Sequence, residues 1–294
     1  MPTTYSRRAF ITHATCALAL PKPQAIIDIH QHTNYWNRSD DGLIAHQANL
    51  GVTKTVLLPA GSQLGLDANC TGNDAVLALA KRHPDKFVFF ANEVPNLPAA
   101  KTVIEKYLNA GAIGIGEQKF PVECDSPHMR LMADIAQAYR VPVLMHFQHN
   151  KYNTGFERFY KMLERYPRVT FIAHAQTWWG NIGKLADPND LYPKGKVTPG
   201  GLSDKWLADY PNLYGDLSAG SGLKALMRDE EFARGFLARH QNKLLYGSDC
   251  QDVDTQVKEC CGSRMIAAIQ RLAPEQKAAR KMLYENARRV LKIR

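Results

Sequence analysis

Eight short apolar runs recur along this chain, separated by amphipathic stretches, and that alternation leaves little choice of architecture. The runs fall at residues 26–30, 53–59, 86–91, 112–117, 141–146, 169–174, 212–217 and 243–248. Several are apolar on consecutive positions, as strands covered on both faces must be. Between them lie helical candidates at residues 43–50, 73–83, 99–109, 127–139, 156–166, 203–209 and 223–240, with a final helical stretch at 274–294. Asn73, Ser126 and Ser203 stand where they can cap helix starts, and Gly51 and Gly111 where a helix can end in the left-handed region. Strand followed by helix, repeated to this number, predicts an α/β fold with a parallel sheet. A closed (β/α)8 barrel of the TIM type fits the count better than an open sheet.

The 294 residues, 45% of them hydrophobic, suffice for one large core, so a single catalytic domain is expected over residues 26–294. Residues 1–25 read as an address. Ser6-Arg7-Arg8-Ala9-Phe10-Ile11 matches the bacterial twin-arginine export pattern, a short apolar stretch follows at 14–20, and cleavage near Ala25 suits a signal peptide. On that reading the twin-arginine machinery is a partner and the protein is periplasmic or secreted. The alternative is a basic leader on a cytoplasmic protein. No transmembrane segment is expected, because the stretch is far shorter than the roughly 20 apolar residues of a bilayer-spanning helix.

The net charge of +9 invites a nucleic-acid reading, but Arg7, Arg8 and Lys22 lie in the leader, which holds no acid. The rest is dispersed among acids on helices such as 161–168 and 280–294. This is a solvated surface, which excludes nucleic acid as the expected partner and leaves a small, anionic substrate compatible. Of six cysteines Cys16 goes with the leader, and none of the other five has zinc-finger spacing. Cys250 and Cys260 are close enough in sequence for one bond in an oxidising compartment. Residues 175–202, rich in glycine and proline, are expected to form a long loop over the end of the sixth strand.

Residues able to bind metal recur at the C-terminal ends of the expected strands: His30 and His32 on the first, Glu117 on the fourth, His146 on the fifth, His174 on the sixth and Asp249 on the eighth. Barrel enzymes place their chemistry at this end. A His-x-His pair on a strand sends both imidazoles to one side, so both can reach one ion. Asp28 either orients one of them or is a buried strand carboxylate with a backbone partner. His13, His46, His83, His128 and His240 fall on the leader or on helical segments and read as surface or packing residues.

These residues resemble the amidohydrolase superfamily, and within it the amidohydrolase-related (amidohydrolase family 2) branch, which also contains decarboxylases and lactonases. The resemblance runs from Ile26 nearly to the end. It rests on Asp28-x-His30-x-His32, on His146 in Pro142-Val143-Leu144-Met145-His146, on Asp249 in Leu245-Tyr246-Gly247-Ser248-Asp249, and on a closing helix beginning Tyr284-Glu285-Asn286. It implies that His30, His32, His146 and Asp249 hold a divalent ion. Three imidazoles and one carboxylate suit Zn²⁺, with Mn²⁺, Fe²⁺ or Co²⁺ as alternatives. It also implies that Asp249 takes a proton from the ion's water, generating a hydroxide nucleophile, and that His174 either binds a second metal or acts beside a single one. The free role is the expected one. Glu117 is open between a bridge to a second metal, a hydrogen-bonding support and a substrate contact. Lys119 either balances its charge or grips a substrate anion, and Trp178 and Trp179 either wall the pocket or pack the loop. His149, Asn150 and Tyr152 are placed to line the mouth.

The leading expectation is a metal-dependent hydrolase acting on a C–O or C–N bond of a small ester, lactone or amide. A metal-dependent decarboxylase of an aromatic or unsaturated acid is the second, and a non-catalytic periplasmic metal- or ligand-binding barrel the third.

Overall fold

A computed structural model describes residues 25–61, 70–253, 256–257 and 259–293, so the expected leader and its arginine pair lie outside the described residues. The strands are β1 (Ile26–Gln31), β2 (Val52–Leu57), β3 (Phe87–Phe89), β4 (Ile115–Gln118), β5 (Val143–His146), β6 (Phe171–His174), β7 (Leu213–Asp216) and β8 (Leu244–Leu245). The helices are α1 (Asp40–Asn49), α2 (Asn73–Arg82), α3 (Ala100–Asn109), α4 (Pro127–Tyr139), α5 (Tyr160–Arg165), α6 (Gln176–Gly180), α7 (Leu202–Asp209), α8 (Ala219–Met227), α9 (Glu230–His240), α10 (Cys261–Leu272), α11 (Gln276–Arg280) and α12 (Asn286–Val290).

Parallel pairing runs β1-β2-β3 and β4-β5-β6-β7-β8. Two links close the ring. Ala91 bridges Ile115 between β3 and β4, and Ile29 N donates to Tyr246 O at 3.1 Å across the β8–β1 seam. The expected TIM barrel is therefore the fold. Every residue of β1 and of β4 through β8 is buried, which is why their sequences run apolar without alternation. One core, containing Ile27, Val56, Phe90, Leu144, Ile172 and Leu245, packs with Ala287, Leu291 and Ile293 from the chain end. The larger core lies between the strands and the surrounding helices.

Several expected boundaries shift for local reasons. The helix expected at 223–240 is two, because Asp229 breaks it and accepts from Phe232 N at 3.3 Å as the cap of α9. The final stretch is α11 and α12 joined through a π-turn at Lys281–Glu285. The expected loop at 175–202 contains α6, and α10 was not anticipated. Among the described residues no helix is long and apolar enough to cross a membrane.

Candidate metal centre

The strand-end residues meet. His30, His32, Glu117, His146 and His174 are all buried, at 5% exposure or less. Glu117 stands between two pairs of histidines. Its Oε2 is 3.5 Å from His30 Nε2 and 3.6 Å from His32 Nε2. Its Oε1 is 2.5 Å from His146 Nδ1 and 3.7 Å from His174 Nε2. Asp249 closes the set, with Oδ1 3.8 Å from His30 Nε2 and 3.6 Å from His32 Nε2, and Oδ2 3.8 Å from His174 Nε2. Separations of 3.5–3.8 Å are too long for hydrogen bonds. They are the order of spacing found between donors that share an ion at bond lengths of about 2.0–2.2 Å.

The backbone and its neighbours aim each donor. Asp249 sits at φ 46°, a left-handed conformation that aspartate tolerates better than most residues, and its N donates to His30 O at 2.9 Å. The end of the first strand and the segment after the last are thus pinned side by side. His32 Nδ1 lies 2.8 Å from Leu58 O, which leaves Nε2 toward the carboxylates. His30 Nδ1 lies 2.6 Å from Asp216 Oδ2, and His174 Nδ1 lies 2.9 Å from Ser218 Oγ. Both rings therefore also present Nε2, the tautomer that a ligand requires. Asn92 Nδ2 donates to Glu117 O at 2.8 Å and holds the end of β4.

Electrostatics favour a cation. Burial opposes charge on His30, yet Asp249, Asp216 and Glu117 together hold its pKa well above the usual imidazole value. Burial, reinforced by the charge of His30, pushes His32 down to about 3 and His174 well below the ordinary range. Burial also lowers His146, against the pull of Glu117. Glu117 resists its own burial because His146 and His30 hold it well below the carboxylate range. Burial raises Asp249 to about 6. Neutral imidazoles and ionised carboxylates are the forms that bind metal. His30 Nε2, His146 Nε2 and Asp249 Oδ1 are buried with no hydrogen-bond partner. A divalent ion beside His30 Nε2 and Asp249 Oδ1 would satisfy both and supply the positive charge that the carboxylates draw, whereas His146 already meets Glu117 through Nδ1, so the donors around His30, His32 and Asp249 fit such an ion.

Residues left with two readings fall to one of them. Asp28 does not touch an imidazole; it accepts from His30 N at 3.0 Å and Ser248 N at 2.9 Å, so it is a strand carboxylate with backbone partners. Asp216 orients His30 instead. Trp178 and Trp179 are 0% and 1% exposed. The first packs edge-on to Phe156, and the second toward Phe236 while donating to Asp216 O at 3.0 Å. They belong to the core, because α6 turns them inward immediately after β6, which is the packing alternative. Lys119 is half-buried with Nζ 5.5 Å from the Tyr152 ring centroid, and its charge is felt at His32, His146, His174 and Asp249. The Tyr152 ring meets His146 edge-on at 5.5 Å. His149 lines a cavity of about 830 Å³ with Thr177, Asn181 and Lys184.

Three contributors escaped the sequence reading. Asp216 ends β7 just as the other donors end their strands, so the same positional signal could have found it. Ser218 Oγ is 2.9 Å from Asp216 Oδ2 and 3.3 Å from His30 Nδ1. Tyr35, just past β1, shares a hydrogen bond with Asp249 and stacks edge-on to His32 at 4.9 Å. Nothing in its local sequence marked either role.

The family model described as Amidohydrolase, of the amidohydrolase family 2 type, matches residues 27–293. Solved structures share the fold at low identity. An uncharacterised TIM-barrel protein from Bordetella bronchiseptica is 16% identical over 91% of this chain and 98% of its own, with a TM-score of 0.66. A 5-carboxyvanillate decarboxylase from Sphingomonas paucimobilis is 15% identical over 85% of this chain and 82% of its own, with a TM-score of 0.54. A dihydroxybenzoic acid decarboxylase from a Polaromonas species, with bound manganese and the inhibitor 2-nitroresorcinol, is 11% identical over 92% of this chain and 97% of its own, with a TM-score of 0.55. Comparison with curated proteins finds no match.

Proposed function

The chain belongs to this amidohydrolase family, and from that premise we propose that it is a hydrolase of small esters, lactones or amides built around two divalent ions. Members of the family are metal-dependent enzymes. The observation that carries the reading is the position of Glu117, whose two oxygens face different histidine pairs. His30, His32 and Asp249 would hold one ion, His146 and His174 the other, and Glu117 would bridge them. When bound, the ions polarise a carbonyl oxygen and acidify a water at neutral pH. Zn²⁺ suits these donors, and Mn²⁺, Fe²⁺ and Co²⁺ remain alternatives.

The chain's own part is to position groups and move protons. Asp249 takes the attacking water's proton on its carboxylate and delivers it to the leaving oxygen or nitrogen. Tyr35 fixes that carboxylate through their hydrogen bond. His174, expected as a free partner, has its Nε2 near both Glu117 and Asp249, which supports a ligand role. Lys119 holds a substrate anion at the rim.

Decarboxylation of an aromatic acid is the second reading, favoured by Lys119 as a counterion for a carboxylate and by decarboxylases among proteins of the same fold. The test is a panel of lactones, esters, amides and dihydroxybenzoate-type acids offered to metal-loaded protein, with Asp249→Asn and Glu117→Gln alongside. Hydrolysis lost in Asp249→Asn, and metal content falling from two ions toward one in Glu117→Gln, are expected. Carbon dioxide release with the esters untouched would replace hydrolysis by the second reading. Full hydrolysis by Asp249→Asn would remove the base.

A further inference from the structure

A second cluster of metal-binding side chains lies where α1, the segment after β8 and the start of α10 meet. His46, Cys250, Asp252 and Cys260 each offer one donor atom, and the four atoms lie within 4.8 Å of one another. His46 and Cys250 are 0% exposed and Cys260 4%. None of the four belongs to the centre described above, although Cys250 directly follows Asp249.

Two independent features point to a bound cation. His46 Nε2 is buried with no hydrogen-bond partner, while Nδ1 lies 3.4 Å from Gln47 Nε2. Apolar side chains flank the sulfurs, with Leu50 packed on Cys250 and Cys260 and Val52, Val257 and Ile266 against them; Cys250 Sγ also donates to Asp252 Oδ2 at 3.4 Å, and Cys260 Sγ accepts from Ser263 N at 3.3 Å. A partnerless imidazole nitrogen there carries a desolvation cost that a ligand bond would remove. The second feature is Arg38, 1% exposed. Its guanidinium donates to neutral oxygens: Cys250 O at 3.0 Å, Asp252 O at 3.3 Å and the Gln31 side chain. Two thiolates, a carboxylate and a divalent ion together leave one net negative charge beside this buried cation, which would balance it.

We propose that His46, Cys250, Asp252 and Cys260 form a second, structural zinc site distinct from the histidine–carboxylate centre. Sulfur and imidazole donors select zinc over harder ions. Four protein donors leave no open position for substrate, the mark of a structural site. The donors need to contract only modestly, since bonds of about 2.0–2.3 Å in a tetrahedron place donors about 3.5 Å apart. Binding would release two thiol protons to solvent. It would also tie the segment that carries Asp249 to α1 and α10. The rival fate of these sulfurs is a disulfide, since Cys250 Sγ lies 3.5 Å from Cys261 Sγ.

Cobalt separates the two centres, because only the second contains sulfur. The full chain, reduced, stripped of metal and loaded with Co²⁺, should show a thiolate-to-cobalt charge-transfer band that Zn²⁺ displaces. Cys260→Ser and His46→Gln should abolish or shift that band, and Cys261→Ser should retain it. Absence of the band from the wild-type chain overturns the site, whatever the variants do. A band that survives both Cys250→Ser and Cys260→Ser overturns it equally, as does a Cys250–Cys261 disulfide found by peptide mapping in protein purified without oxidant.

Discussion

Replacing Asp216 by asparagine tests whether the centre depends on the tautomer of His30. In the native arrangement Asp216 Oδ2 faces His30 Nδ1 at 2.6 Å, and Oδ1 accepts from Ser218 N at 3.0 Å. An asparagine cannot serve both. With its amide NH₂ toward His30, the imidazole must accept at Nδ1 and carry its proton on Nε2, where an ion would bind. With its oxygen toward His30, the NH₂ confronts the Ser218 N–H, and one buried donor is left unpaired. Either outcome costs about 1–3 kcal/mol, and partners of this kind change metal affinity by about 10–100-fold. Competition with a chelator at fixed pH should therefore show metal binding weakened by about 10–100-fold. The metal-dependent part of the melting temperature should shrink in step, while the metal-free chain stays folded by circular dichroism. Equal affinity in Asp216→Asn and wild type would refute the reasoning, because it would mean that metal binding does not depend on Asp216 as the partner of His30.

Other substitutions probe the scaffold. Trp178→Ala empties a fully buried site and should cost about 3–5 kcal/mol, lowering the melting temperature on the order of 10 °C; a variant as stable as wild type with altered KM would restore the substrate-stacking role. Gly247→Ala places a Cβ 2.5 Å from Asp216 Oδ1 and 2.9 Å from His30 Cβ, so metal retention by elemental analysis should fall along with a stability loss of about 1–3 kcal/mol. Asp204 lies 2.6 Å from His240 Nε2 and 2.9 Å from Arg239 Nη2; against its partial burial, these partners hold its carboxyl below the usual 3.8. A depressed folded-state pKa gives stability that is complete above the unfolded value and lost as pH falls through the folded one. Asp204→Asn should therefore lower stability at neutral pH by less than about 1 kcal/mol after solvent screening and flatten the fall below about pH 4 in denaturant titrations. An unchanged acid limb would show that the pair contributes nothing.

The barrel and its donors were legible because one physical rule wrote both. Strands covered on two faces are apolar throughout, so a histidine or carboxylate that ends such a run stands out, as His30, His146, His174 and Asp249 do. Asp216 obeys the same rule but lies one residue inside the expected run 212–217 instead of at its end, so it did not stand out. The two tryptophans stayed open between pocket wall and packing because the glycines and prolines around them describe a loop, whereas their burial is decided by Phe156 and Phe236, distant in sequence. The cluster at His46 was invisible for a similar reason. Its donors come from three separate elements, so no spacing motif connects them, and His46 alone looks like a packing residue on a helix.

The seam between β8 and β1 has a consequence for the order of events during synthesis. His30 leaves the ribosome early, yet Asp216 at the end of β7 and Asp249 beyond β8, both in contact with it, come 186 and 219 residues later. No partial chain ending before Asp249 carries the full donor set. Metal capture by the complete set would thus be confined to a chain that has brought its first and last strands together, and a retained ion would become a certificate that the ring has closed.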